Sequence, residues 1–514
     1  MAAGPPSRDD REGLEPAERL LASIRAYEKS GRPFGFKYAD ICVWPLFRTV
    51  FCLRYMAQMR GEPFAMPPHR AGKGPEMLGL VTGLPRQVRY LLLARRYPGG
   101  CILGKTVSTA RMGDPEGLDA FFDYVTDAMP GLILGQSVSA PRAGSYPVVL
   151  DEYAGARRSL AAPLSRSRAR SLEMALVADL SDWFAGSDME REFGPAPPPR
   201  QSGILARHIS DFHYYRRLLG ALRPRLVVLV CSYSLEMVPL IAAARALGIP
   251  AWELQHGVIS RLHFGYNYGE ETLPHAAAMP LPDRVLTFGP YFTDELASCG
   301  YWEAGRLVEL GFPRLDHYRR RARRSGGLAH PGTLTVMFST QWTIEEEYRR
   351  FIEEFVSAMP PGVRVVVNPH PRYHDEALSR YRSMAGARVE VMDPGDSLYS
   401  RAGEIDVHCS AYSTTLFETA GLGIPTVVLA LPGWRGVQAL VDEGAAVTAE
   451  TPGQLAALAR RCLQDPAFHS EWAGRTASSS NRFFTPFEHR RAAALLGGVV
   501  EPGPGGPSTR SFSV

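Results

Sequence analysis

The chain has 514 residues, more than one hydrophobic core usually organises, so two or more domains are expected. Its 57 basic and 53 acidic side chains leave a net charge of only +4, which argues against a dedicated nucleic-acid binder; a hydrophobic content of 45% is ordinary for a soluble globular protein. The seven cysteines (42, 52, 101, 231, 299, 409, 462) are scattered, odd in number and without a C-x-x-C pair, a pattern of reduced thiols in the cytosol that excludes a disulfide framework and a structural zinc site.

Residues 1–14 and 498–514 are rich in Pro, Gly, Ser and charge and are predicted to be disordered tails. The opening residues run into Arg8-Asp9-Asp10-Arg11-Glu12, so no secretory signal is expected. From 15 to 100 the patterning is helical, with Ile41, Trp44, Leu46, Phe47, Val50, Phe51 and Leu53 spaced along Ala39 to Met59. The basic segment Arg86 to Arg96 carries Tyr90-Leu91-Leu92-Leu93; it reads as a solvated face or as an amphipathic helix resting on anionic lipid. Strands are predicted near Cys101-Ile102-Leu103 and Tyr146 to Leu150, and a helix from Ser165 to Phe184. Pro195 to Pro199 reads as a surface loop.

The pattern then becomes regular. Leu226 to Val230 reads as a strand, Leu235 to Leu247 as a helix closed by Gly248, and Ala251 to Leu254 as a strand. Arg284 to Phe288 and Leu307 to Leu310 follow as strands around a helix at Tyr291 to Ser298. Arg319 to Gly327 interrupts the alternation as a linker would. A second series begins after it, with strands at Thr333 to Phe338, Val363 to Val367, Val389 to Met392, Ile405 to Cys409 and Thr426 to Leu429. Helices between and after them are predicted at Ile344 to Ala358, Asp375 to Met384, Thr414 to Leu422 and Gly453 to Leu463. Strands alternating with helices give right-handed crossovers and parallel sheets. The expected organisation is therefore a helical extension (15–100), a first Rossmann-like domain (101–325) and a second (330–497), with a crevice between the two.

Ligands of open parallel α/β sheets bind beyond the carboxyl ends of strands, where helix N-termini favour anions. In the second half, one predicted strand runs into Asn368-Pro369-His370-Pro371-Arg372 and another into Ser410-Ala411-Tyr412-Ser413-Thr414-Thr415. Pro371 disfavours helix at His370 and holds its imidazole on an extended segment, and Arg372 offers paired donors to phosphate. Ser413, Thr414 and Thr415 would meet phosphate oxygens, with Glu418 accepting from ribose hydroxyls; the plainer reading of the hydroxyls is an ordinary helix cap. In the first half, Glu253-Leu254-Gln255-His256-Gly257 leaves a strand end, followed by His263, Tyr266 and Tyr268. An imidazole titrating near 6.5 is suited to taking a proton from an acceptor hydroxyl. Glu253 would orient it, although strand alternation places the two on opposite faces. His263, Tyr266 and Tyr268 read as an acceptor surface or as loop packing.

No P-loop, no G-x-G-x-x-G after a strand, no G-x-S-x-G elbow, no D-x-D and no H-E-x-x-H occurs. These absences weigh against NTPase, dehydrogenase, α/β-hydrolase and metal-dependent readings.

Taken together, the Glu253–Gly257 segment with His263 and Tyr266, the Asn-Pro-His-Pro-Arg stretch, and Tyr412 to Glu418 resemble bacterial GT-B glycosyltransferases of surface-polysaccharide assembly. They are similar to capsule-type enzymes and to the CDP-glycerol glycerophosphotransferases of teichoic acid synthesis. The His-Pro pair also resembles the motif with which bacterial sialyltransferases hold CMP. The resemblance covers about residues 225–430. It implies a GT-B fold and a nucleotide held in the C-terminal half by His370, Arg372, Ser413, Thr414 and Glu418. It further implies an acceptor in the N-terminal half with His256 as base, and no metal or cofactor. This chain has Gln255 where the glycerophosphotransferases commonly have Thr. The expected activity is metal-independent, inverting transfer from a nucleotide-activated sugar or glycerol donor to a glycan or lipid-linked acceptor. The expected setting is the cytosolic face of the membrane, with peripheral membrane contact and no nucleic acid. The alternatives are a UDP-sugar 2-epimerase and a catalytically inactive GT-B scaffold within a polysaccharide assembly complex.

Overall fold

The structure is a computed structural model. It describes residues 16–59, 101–107, 114–129, 131–137, 149–152, 165–187, 190–191, 204–321, 328–370, 375–393 and 396–498. The tails, the basic segment at 86–96, the Pro195–Pro199 loop and Arg372 lie outside these residues.

Two parallel sheets organise the chain. The first holds β1 (Ile102–Lys105), β2 (Leu132–Ser137), β3 (Val149–Glu152), β4 (Leu226–Val230), β5 (Ala251–Leu254), β6 (Arg284–Thr287) and β7 (Leu307–Glu309). Their spatial order is β3-β2-β1-β4-β5-β6-β7. The second holds β8 (Leu334–Ser339), β9 (Val363–Asn368), β10 (Val389–Val391), β11 (Val407–Ser410), β12 (Thr426–Leu429) and β13 (Val447–Ala449), in the order β10-β9-β8-β11-β12-β13. In each, the chain lays three strands outward and returns with the fourth to the other side of the first, the doubly wound arrangement whose switch point opens a crevice at the strand ends. The switch points lie between β1 and β4 and between β8 and β11. Two Rossmann-like domains were expected from the sequence, and two are present.

Continuous apolar strands form because both faces are covered. Along β4, Leu226, Val228 and Val230 enter one cluster while Val227 and Leu229 enter another. Along β8, Leu334, Val336 and Phe338 face one cluster and Met337 the opposite one. Such alternation fixes register, since a one-residue slip exchanges the two faces.

The N-terminal segment packs onto the first domain. Helix α1 (Pro16–Lys29) leads to a two-residue hairpin, Lys37–Tyr38 against Ile41–Cys42, and then to α2 (Trp44–Met59). The helix read from Ala39 therefore starts five residues later. Ala39 and Asp40, at φ 48 and 62, make the hairpin's turn in the left-handed region, a conformation helix cannot use. After two longer helices, Ser165–Phe184 and Ile204–Leu222, come α3 (Met237–Ala246), α4 (Pro290–Ala297) and α5 (Pro313–Arg321). Helix α5 corrects the linker reading: Arg319, Arg320 and Arg321 form its last turn, where cations suit the helix dipole.

In the second domain, α6 (Thr415–Gly421) and α7 (Pro466–Ser479) precede the final helix α8 (His489–Gly497). Helix α8 leaves the second domain. Phe487, Ala492 and Leu496 join Ile102, Phe122 and Leu132 in the core of the first, and Arg225 donates to the carbonyl of Gly497 at 3.0 Å. The expected second domain, 330–497, thus gives up its last helix to the first. Among the described residues no helix is long and apolar enough to cross a membrane.

Two core histidines make the fold sensitive to acid. His408 on β11 is fully buried between Ser339 Oγ at 2.8 Å and Thr419 Oγ1 at 2.9 Å, and burial lowers it to about 3. Burial lowers His208 to about 4. Each is neutral when folded and takes a proton near 6.5 when unfolded. The unfolded state therefore gains protons as pH falls from 6.5 towards 3–4, and folding loses stability over that window. At pH 5 the loss is expected to reach about 2 kcal/mol per histidine. Urea unfolding at pH 7 and pH 5 measures it, and His408→Gln should reduce the difference by about 2 kcal/mol.

Candidate functional site

At the first sheet's carboxyl edge, β5 ends at Leu254 and the chain turns through Gln255 to Gly257. The buried Gln255 side chain holds that turn, accepting from Phe288 N at 2.7 Å and donating to the Gly257 carbonyl at 2.7 Å. Strand alternation stops where the strand stops. His256 consequently folds back onto Glu253, with Nδ1 at 3.5 Å from Oε1, and the opposite-face placement read from the sequence does not apply. Glu253 is fully buried, while 19% of the His256 side chain is exposed. The same Glu253 oxygen accepts from Ser232 N at 3.1 Å and from the Tyr266 hydroxyl. Tyr233 Oη lies 3.3 Å from His256 Nε2.

The surroundings change the charge of this ring. Burial opposes protonation of His256, but contacts with Cys231 and Glu253 overcome it and hold the ring protonated up to about 10. An imidazole near 6.5 was expected; the folded ring is an imidazolium at neutral pH. His263 moves the opposite way. Burial, the positive His256 and Arg48 lower it to about 3.

His263, Tyr266 and Tyr268 do not form an open acceptor surface. Tyr266 and Tyr268 are buried, and the His263 ring is packed by Tyr233, Phe264 and Tyr266 at 4.9, 5.2 and 5.0 Å. Gly265 admits this packing, because a Cβ there would sit 2.4 Å from the Tyr233 ring. Of the three, His263 and Tyr266 stand around His256, whereas Tyr268 faces away from it, under the Arg48 guanidinium at 4.3 Å.

Arg48 comes from the N-terminal extension, for which the sequence reading had no role. Its Nε binds Glu28 Oε1 at 2.7 Å, with side-chain exposures of 1% and 0%. Its other nitrogens donate to the carbonyls of Phe264 and Asn267. Trp44 Nε1 also donates to Glu28, at 2.7 Å. Arg25 adds a bond to Asn267 Oδ1 at 3.0 Å and an ion pair with Glu271 at 2.5 Å. The extension therefore holds the backbone of the loop that carries His263 and Tyr266. The sequence offered Arg48 inside the apolar spacing of Trp44 to Phe51, but nothing that set Glu28 apart from Arg25 and Lys29 beside it.

At the second sheet's edge, Ser339, Asn368 and Ser410 end neighbouring strands. Ser410 Oγ donates to the Ser339 carbonyl at 2.7 Å, and Tyr348 Oη bridges the carbonyls of Ser339 and Cys409 at 2.9 and 3.2 Å. The His370 amide donates to Thr340 Oγ1 at 3.1 Å. His370 is thus fixed beside the switch point, as are Thr340 and Thr343, which sequence reading did not single out, and Tyr412, which it named only as the start of a motif. The Thr343 and Tyr412 hydroxyls are bonded to each other.

The three hydroxyls at the start of α6 are not equivalent. Ser413 Oγ accepts from Thr415 N at 3.3 Å and from Thr415 Oγ1 at 2.8 Å, a local turn. Thr414 is exposed. Helix α6 is only seven residues long, so its dipole is small and side chains must supply most of any anion contact. Glu418 receives the Tyr399 hydroxyl. Tyr399 in turn lies under Arg314 at 4.3 Å, and Arg314 pairs with Asp114 at 3.2 Å. The expected ribose acceptor is therefore tied into a chain of contacts that ends in the first domain.

The two edges meet. Helix α4, which follows β6, packs on α6, which follows β11, through Phe292 and Phe417 at 5.9 Å, with Phe483 against both. Gly421 brings the end of α6 close to α5, where an added Cβ would lie 2.5 Å from a Leu315 methyl group that would have to move. The His256 loop reaches the same helix, Arg261 N donating to Glu295 Oε2 at 2.7 Å. Ile259, Tyr266, Phe292, Leu416 and Phe417 belong to one continuous core.

No protein-family model matches the chain, and no curated protein matches its sequence. Solved structures with a similar fold include the UDP-GlcNAc 2-epimerase of Neisseria meningitidis bound to UDP-GlcNAc, at 12% identity and a TM-score of 0.45, covering 78% of this chain and 99% of that one. The wall teichoic acid polymerase TagF is similar at 12% identity and a TM-score of 0.45, covering 84% of this chain and 98% of that one. HepE of Anabaena in complex with UDP is similar at 12% identity and a TM-score of 0.41, with 78% and 99% covered. At this identity and these scores the likenesses carry no argument about activity.

Proposed function

We propose that the chain is a metal-independent, inverting glycosyl- or glycerophosphoryl-transferase. It takes a nucleotide-activated donor and a hydroxyl of a glycan or lipid-linked acceptor, at the cytosolic side of the envelope. The observation that carries this reading is the packing of α4 on α6 through Phe292 and Phe417, which turns the carboxyl edges of both sheets towards one another. Small-molecule sites favour such interdomain crevices.

The nucleotide phosphate would be held by His370, Thr340, Ser413, Thr414 and Thr415, with Arg372 offering paired donors and Glu418 at the ribose. To bind ribose, Glu418 must exchange its Tyr399 hydrogen bond for a sugar hydroxyl. The acceptor hydroxyl would lie at His256, which takes its proton as the donor bond breaks, while the second domain stabilises the departing phosphate. Glu253 orients the ring and stabilises its charge. His263 and Tyr266 shape the floor beneath it, while Tyr268, buried under Arg48, supports the loop that carries them. Domain closure would exclude water and limit donor hydrolysis.

Nucleotide binding is the direct test. Thermal shifts against CMP, CDP, UDP, GDP and TDP should single out one base, since a ligand of the folded state raises its melting point. His370→Ala is expected to weaken that nucleotide about tenfold or more, the scale of a charge-assisted hydrogen bond. His256→Ala should leave the affinity unchanged. No shift with any nucleotide, or equal shifts from wild type and His370→Ala, would remove the second domain as the donor site.

A further inference from the structure

Three neighbouring strands of the second sheet, β8, β11 and β12, each run into an aromatic residue just past the carboxyl edge: Trp342, Tyr412 and Trp434. All three are half-buried. Tyr412, the middle one, is fixed from both sides. Its hydroxyl bonds that of Thr343, next to Trp342. Opposite, Gly433 precedes Trp434 and lies so close that a Cβ would sit 2.8 Å from the Tyr412 ring. Gly433 also takes φ 90, a conformation that suits glycine. Trp434 N donates to the Leu431 carbonyl at 3.1 Å and closes the turn. No described residue accepts the Trp434 indole N–H.

The aromatic row spans the interval between the two halves of the site. At one end, Thr340 receives the His370 amide at 3.1 Å, and Ser413 follows Tyr412 directly. At the other, the short helix Gln438–Asp442 leads from Trp434 to Glu443. Arg482 joins Glu443 at 3.3 Å to Asp294 of α4 at 2.6 Å. The next residue of α4, Glu295, accepts from Arg261 N in the His256 loop. A group in transit from the nucleotide phosphate to an acceptor at His256 lies along this row.

We propose that Trp342, Tyr412 and Trp434 line the subsite of the transferred group, and that this group is a pyranose sugar rather than a glycerol phosphate. The inference rests on the transferase reading and narrows it to glycosyl transfer. A pyranose presents a flat face of C–H groups, whose partial positive charge suits the negative face of an aromatic ring. Its hydroxyls take hydrogen bonds at the rim, from the Trp434 N–H and from Arg435, an exposed guanidinium 6.0 Å from the Trp434 ring centre. Glycerol has no such face, and its free torsions must be frozen on binding.

Calorimetric titration of the full-length chain tests it. The probes are CDP, UDP, GDP and TDP, each free and as its glucosyl, galactosyl, mannosyl and glyceryl esters, and CMP with its sialyl and glyceryl esters. For the nucleotide that binds best, one pyranosyl ester is expected to bind about fivefold or more tighter than the glyceryl ester, the scale of one well-placed aromatic contact. Trp434→Leu keeps apolar bulk but no flat face. It should abolish that preference and leave the free nucleotide within about twofold of wild type. Trp434→Phe should keep most of the preference, and melting confirms that both variants fold. A glyceryl ester that binds as well as every pyranosyl ester overturns the inference and leaves the transferase reading standing; that comparison needs no variant. Equal losses for ester and free nucleotide in Trp434→Leu overturn it too, because the ring then serves the base or the fold. Binding of no nucleotide in any form removes the transferase reading and this inference with it.

Discussion

Arg48→Met is expected to destabilise the chain by about 3–5 kcal/mol, because it strands one member of a buried ion pair. Glu28 is fully buried, and burial already raises its pKa. The loss of Arg48 takes away its counter-charge and two donors to the carbonyls of Phe264 and Asn267. The double variant Glu28→Leu/Arg48→Met should be less destabilised than Arg48→Met, since two apolar side chains impose no uncompensated charge. Urea unfolding of wild type, both single variants and the double variant measures the coupling. If the four stabilities add without coupling, the pair is incidental to the fold. In the double variant, stability is regained but the loop carbonyls stay unclaimed. Amide exchange across 257–268 should then rise at least tenfold, with 405–429 unchanged.

Replacing His256 should have the largest effect on turnover. His256→Ala is expected to lower kcat by about 10²–10⁴-fold, the usual contribution of a general base, with nucleotide affinity preserved. The charged state of the ring adds a signature that a merely structural histidine lacks. Its folded pKa of about 10 makes the base form roughly a thousandth of the population at pH 7. The kcat/KM of the wild type should consequently climb about tenfold per pH unit from 7 and level near 10. Cys231→Ala removes one of the contacts that raise this ring, and should move the climb towards neutrality. A flat profile above pH 7 would exclude His256 as the base. The same shift works on stability. A raised histidine stabilises the fold fully below 6.5 and loses that contribution as pH rises from 6.5 through 10.

The sheets were the legible part of this chain. Leu226 to Val230, Ala251 to Leu254 and Thr426 to Leu429 are short apolar runs between turn signals, and each is a strand with the bounds the sequence suggested. Leu132–Ser137 was not recognised, because Gly131 and Gly135 break its apolar run. Ile204–Leu222 was missed because its buried face includes His208, Ser210 and Asp211, which interrupt a hydrophobic stripe. Val447–Ala449 is too short to produce a periodicity. At the site, the strand-end positions of His256 and His370 could be inferred, since a strand followed by Gly or Pro marks its own end. What each ring touches could not. Arg48 lies 216 residues from the carbonyl of Phe264 that it binds, and a single sequence carries no trace of such a pairing. The charge of His256 depends on Cys231 and Glu253, a set that exists only once β4 and β5 lie side by side.

The return of the last helix constrains how the crevice opens. The chain passes between domains once after α5 and again near Phe483 and Phe484, where Phe484 lies 6.3 Å from Phe312 and 5.9 Å from Phe288. A body on a single tether swivels in any direction, whereas two adjacent tethers leave chiefly rotation about the line joining them. Opening and shutting should therefore follow one angular coordinate, like a book on its spine. Cutting the chain before Thr485 would release that spine and expose Phe122 and Leu132 beneath the departed helix, so a shortened protein would lose solubility together with its sense of direction.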